Sequence, residues 1–247
     1  DEDAFLRLWT LHRQAAAASN HLAATAACRE AARLGRFLPA ARTIEGWHLL
    51  QAGRAAEAAA AYESALARGA PADPLAAAAD AMARRWLSRL DREQVVAALA
   101  AYHREHVAFP PNLAVFESWP EARRPPLRDR RGDAWIYQFQ TFRRLRIDTA
   151  QRYILYSRSA GRETSALEAA LALRPPATPA VFVRKSAGPP AVAELRVGGA
   201  DRPPVLVQEG TRAGGLVFAA IDSAGRFALL SDEEFWLMAL PPENGQR

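Results

Sequence analysis

Apolar residues recur at helical spacing over the first 106 residues, and at strand spacing from residue 135 onward. In the first part Leu49 and Leu50 form one run, and Ala58, Tyr62, Ala65 and Leu66 form the next. Ala, Leu, Arg and Glu dominate, all strong helix formers. Gly53 separates the two runs and Gly69-Ala70-Pro71 ends the second, so a helix hairpin is predicted. Flanking helices are predicted at about 21–36 and 74–89. Asp91 reads as an N-cap, with Gln94 three residues later completing a capping box. The helix it opens carries Val95, Leu99 and Tyr102 on one side, runs to His106, and is stopped by Phe109-Pro110-Pro111.

Beyond residue 107 the period changes. Trp135, Tyr137 and Phe139 alternate with Ile136, Gln138 and Gln140, which is strand spacing. Tyr153, Leu155 and Ser157 form a second strand after a polar linker at 143–151. Gly132 allows a left-handed turn into the first strand, and Asp129 can cap it. Residues 165–173 read as a short helix. Pro175-Pro176-Ala177-Thr178-Pro179 is a linker. Short strands follow at 181–184, 192–197, 205–208, 216–221, 227–230 and 235–240. Between them lie turns such as Gly188-Pro189-Pro190, Gly198-Gly199 and Gly214-Gly215. The predicted class is α+β: an N-terminal helical repeat-like bundle (1–90), a central helix packed on a small antiparallel sheet (91–174), and a small C-terminal β-sandwich or barrel (180–247).

Three stretches resemble known families. Gly46-Trp47-His48-Leu49-Leu50-Gln51-Ala52-Gly53-Arg54, followed by Ala58, Tyr62 and Ala65, resembles one tetratricopeptide hairpin. Residues 91–161 resemble the globular part of a G-type pseudopilin of type II secretion. The residues carrying this are Tyr102, Phe109, Pro110 and Leu113, then Asp129-Arg130-Arg131-Gly132-Asp133-Ala134-Trp135-Ile136-Tyr137, then Arg152-Tyr153-Ile154-Leu155-Tyr156-Ser157-Arg158-Ser159-Ala160-Gly161. The family's hydrophobic N-terminal helix is missing and its acidic calcium loop is not evident, so neither polymerisation nor calcium binding is implied. Val207-Gln208-Glu209-Gly210, Gly214-Gly215-Leu216-Val217, Ile221 and Phe227-Ala228-Leu229-Leu230 are similar to the small β-domain of the type II secretion clamp protein and of pilus lipoproteins. Such β-domains bind partners edge to edge, and a repeat hairpin offers a groove.

Composition narrows the choice. Half of the 247 residues are hydrophobic, enough for a real core. No apolar run reaches membrane-span length and no signal peptide is visible at Asp1-Glu2-Asp3, which leaves room for an anchor upstream of Asp1. The net charge is +5, and Lys185 is the only lysine. The arginines are scattered, with the tightest group at 123–131. This suggests compositional bias and argues against a nucleic-acid partner. Cys28 is the single cysteine and reads as a small buried residue. His103 and His106 share a helix face but lack a third ligand at metal spacing, so a solvated helix end is expected. There is no G-x-S-x-G motif, and all five histidines lie in the helical half. Gly210-Thr211-Arg212-Ala213-Gly214-Gly215 lacks the Lys-Ser/Thr of a phosphate cradle and reads as a β-turn connection.

No catalytic residue, metal or cofactor is therefore expected. The resemblances imply a non-enzymatic scaffold of a type II secretion or type IV pilus-like apparatus. It would be periplasmic, or membrane-anchored and facing the periplasm, with other envelope or secretion-apparatus proteins as partners. Trp47, Tyr62, Val207, Val217 and Trp236 are the expected protein-binding residues. Two alternatives stand beside this: a cytoplasmic tetratricopeptide adaptor, and an enzyme with an unrecognised site.

Overall fold

The computed structural model describes residues 1–30, 35–67, 69–143, 149–174, 180–185, 192–197 and 203–240. The 175–179 linker, the turns at 188–190 and 198–199, residues 31–34 of the first flanking helix and the middle of the 143–151 connection lie outside them. The fold is α+β, with helices first and small antiparallel sheets after them. It divides into two compact units, 1–83 with 174–247, and 84–173.

The first unit holds α1 (Glu2–Ala17), α2 (His21–Glu30), α3 (Leu38–Gln51), α4 (Ala55–Ala65) and the opening turns of α5 (Pro74–His106). α3 and α4 form the expected hairpin. Gly53, at φ +75°, makes its turn. Ala58, Tyr62 and Ala65 are all buried. A Cβ on Gly46 would lie 2.7–2.8 Å from ring carbons of Tyr62, so only glycine lets α4's ring lie this close to α3.

The same unit contains β3 (Ala180–Lys185), β4 (Val192–Val197) and β5 (Val205–Gln208) in one sheet. A second sheet, in sequential order, contains β6 (Arg212–Ala213), β7 (Leu216–Ile221), β8 (Ala228–Ser231) and β9 (Trp236–Ala239). Ala193, Leu195 and Val207 of the first sheet share a core with Leu216, Phe218, Ile221, Leu230 and Leu237 of the second, the small sandwich that the strand spacing predicts. β8 and β9 are buried at every position, on both faces. A strand that is apolar on both faces needs a second layer. Helices supply it: the Trp236 Nε1–H donates to Thr43 Oγ1 at 2.5 Å, and Phe227 packs against Phe5 and Phe37, each at 6.1 Å between ring centroids. The helical and C-terminal segments, expected as separate modules, thus share one unit.

The second unit holds the rest of α5, β1 (Ile136–Arg143), β2 (Thr149–Tyr156) and α6 (Leu167–Leu171). β1 and β2 pair antiparallel, with Tyr137 opposite Leu155 and Phe139 opposite Tyr153. α5 lies on this ribbon. Val95, Ala98 and Leu99 share a core with Phe116, Trp135 and Leu155, and Tyr102, Phe109, Tyr137 and Tyr153 pack against it. Each large side chain buried here contributes about 2 kcal/mol.

The capping box at Asp91 is corrected. α5 is one helix of 33 residues, and Asp91 lies in its middle. No Gly or Pro interrupts residues 75–106, so nothing ends the first helix before Asp91. The buried Asp91 carboxylate instead takes Arg130, with Nε at 2.5 Å and Nη2 at 3.2 Å.

α5 ends on Val107, which has φ +57° and is 81% exposed. A β-branched residue is poorly suited to this left-handed position, where glycine is at ease. Val107→Gly is therefore expected to raise stability by about 1 kcal/mol, read as a higher urea midpoint. A lower midpoint would show that the valine side chain has a packing role.

Candidate functional site

In the second unit the loop that precedes the ribbon is built around Asp129. Gly132, at φ +90°, turns the chain, and Asp129 Oδ1 accepts the backbone N–H of Arg131 at 2.9 Å and of Asp133 at 3.0 Å. This is the capped turn that the sequence predicts. The other oxygen, Oδ2, accepts the hydroxyls of Ser157 at 2.6 Å and Ser159 at 2.9 Å. Burial alone would raise this carboxyl. The two serine bonds and the two backbone bonds outweigh it and hold Asp129 below the usual carboxylate range. The serines have a carboxylate but no histidine beside them, which makes this a structural clamp and not a nucleophile with its base.

Four arginines of α5 fasten the main chain of this unit. Arg84 donates to the carbonyl of Arg130 at 3.0 Å, Arg85 to Ala160 at 3.5 Å, Arg89 to Thr164 at 2.8 Å and Arg92 to Leu155 at 2.9 Å. Arg89 is fully buried and lies 4.4 Å over the Trp86 ring. Each of the four has a defined acceptor.

The residues expected to bind partners are mostly interior. Tyr62, Val207 and Trp236 are buried, and only Trp47 and Val217 are partly exposed. Leu206 of β5 is 69% exposed, but β5 has four residues and follows Pro203-Pro204, which shortens any edge open to another strand. Gly214 and Gly215 form the two-residue loop of the β6–β7 hairpin, both at positive φ. His103 packs on Phe109, while His106 stacks on Tyr102 at 4.0 Å. Cys28 is buried, and its thiol is pushed up to about 12, first by burial and then by Glu45.

The cluster that sequence reading missed lies in the first unit. His12 of α1, His21 of α2 and His48 of α3 form a chain of imidazoles. His48 Nε2 lies 2.7 Å from His12 Nδ1, and His48 Nδ1 lies 3.0 Å from His21 Nδ1. The Trp47 indole stands edge-on to all three rings and to Phe235, and Trp9 packs on His12. The Trp47 Nε1–H is buried and has no acceptor among the described residues. His48 is fully buried; burial draws it down to about 3, with His12 and His21 adding to the effect. Burial, then Arg13, then His21 draw His12 down to about 4, and burial lowers His21. The trio is neutral at pH 7. Because His48 uses its two ring nitrogens in two directions, the three rings do not converge on one point, and no metal-binding group is found among the described residues. The available sequence clue was a histidine three positions after Trp9 and another next to Trp47.

No family model, no curated protein and no solved structure matches this chain. Among the described residues, no helix is long and apolar enough to cross a membrane.

Proposed function

We propose that the chain is a non-enzymatic scaffold of a type II secretion or type IV pilus-like envelope apparatus, facing the periplasm and acting through protein–protein contacts. One observation carries this reading. Of the residues behind the pseudopilin resemblance, Trp135 lies in a core between a helix and an antiparallel ribbon, and Tyr102, Phe109, Tyr137 and Tyr153 pack against that core, behind a loop capped by Asp129. A helix laid on an aromatic ribbon is what that resemblance requires.

The close fit of Gly46 under Tyr62 favours a second reading, a cytoplasmic tetratricopeptide-type adaptor unrelated to secretion. Cell fractionation, followed by crosslinking and capture with the full chain as bait, separates the two. The first reading expects the chain in the envelope fraction, crosslinked to secretin, assembly-platform or pseudopilin subunits. Recovery from the cytosol with none of these overturns it.

A further inference from the structure

We propose that His12, His48 and His21 form a proton-operated latch that holds α2 and the second half of α1 against α3, and that it opens cooperatively in mild acid. The inference is independent of the secretion reading.

The geometry sets the proton count. The two ring contacts use four nitrogens: His12 Nδ1, both nitrogens of His48, and His21 Nδ1. Each contact needs one N–H facing one lone pair. The neutral trio carries three protons on six nitrogens and satisfies both contacts. A fourth proton can still be placed, because His48 can donate to both neighbours. A fifth cannot. Only His12 Nε2 and His21 Nε2 lie outside the contacts, so three protons would fall on the four contact nitrogens. One contact would then bring two N–H groups face to face, and it must break.

The surroundings do not welcome even the first added proton. Trp9 and Trp47 are neutral walls, and Phe235 packs on Trp47. α1 adds the positive charge of Arg13, which presses on His12. On the turn that carries Phe235, Asp232 Oδ1 accepts the N–H groups of Glu234 and Phe235, Glu233 pairs with Arg212, and Glu234 is the third carboxylate. On α3, the nearest carboxylate in sequence is Glu45, which is bound to Arg29 and Arg42.

Once open, each imidazole is hydrated and returns toward its ordinary value of 6.5. The folded values lie below this, so the closed form is fully favoured above about pH 6.5 and loses ground as the pH falls toward about 4. Each proton taken up only in the open form shifts the equilibrium about 30-fold between pH 7.5 and pH 5. Two shift it about 1,000-fold.

Hydrogen exchange of the full chain, corrected for intrinsic rates, tests this. Amides within 12–30 are expected to lose about 1,000-fold protection between pH 7.5 and pH 5, with two or more protons taken up per opening, while β7 and β8 stay protected. His21→Gln, at a half-exposed site, is expected to lower that proton count by one. Uptake of one proton or none overturns the latch, as does an unchanged count in the variant. Equal loss across β7 and β8 also overturns it, because that is general acid unfolding.

Discussion

Asp129→Ala is expected to lower stability by about 3 kcal/mol, a fall of about 15 °C in the melting midpoint for a unit of this size. The carboxylate is almost fully buried and accepts four hydrogen bonds, from two serine hydroxyls and two backbone N–H groups. Alanine removes every acceptor at once, including that of the buried Ser157 hydroxyl. Asp129→Asn keeps one carbonyl oxygen and is expected to recover about half the loss. Acid supplies an independent check with a definite sign. Asp129 sits below its ordinary value of 3.8 when folded, so its contribution is complete above that pH and is lost as the pH falls through the folded value. The gap between wild type and Asp129→Ala should therefore narrow as the pH falls below about 4. Differential scanning calorimetry from pH 3 to 7 measures both effects, and a gap that does not vary with pH would show that the charge is irrelevant.

Gly46→Ala is expected to destabilise by about 2 kcal/mol, although replacing glycine by alanine inside a helix ordinarily gains about 1 kcal/mol. The sign reverses because the new methyl group would lie 2.7–2.8 Å from carbons of a fully buried ring that has nowhere to retreat. Tyr62→Leu removes the ring. In that background Gly46→Ala should lose most of its cost, giving a coupling of about 2 kcal/mol in a urea-midpoint cycle. Additive effects would mean that the two helices do not meet at this pair.

Several parts of this architecture were legible because one local rule governs each. Alternation placed β1 and β2, and Gly53 placed the hairpin turn. Asp129 and Gly132 gave the capped loop, where a short carboxylate and a glycine leave the backbone few options. What was misread involved competition between rules. Asp91 with Gln94 has the form of a helix start, yet an uninterrupted run of helix formers before it overrides the cap. Trp236 and Val207 looked available for partners because a strand's alternation does not tell which of its faces is covered. The apolar runs Ala228-Leu229-Leu230 of β8 and Trp236–Ala239 of β9 were the clue that both faces are. The histidine chain was illegible because its members come from three helices and only the tertiary fold assembles them.

Arg84, Arg85, Arg89 and Arg92 of α5 each hold a main-chain oxygen. A bond to a carbonyl does not depend on the side chain of the residue that supplies it: at 164, whatever side chain stands there, the carbonyl is still there to be held. The helix can thus keep its ribbon fastened while the surface of that loop is rewritten, and a shared frame can present differing faces to differing neighbours.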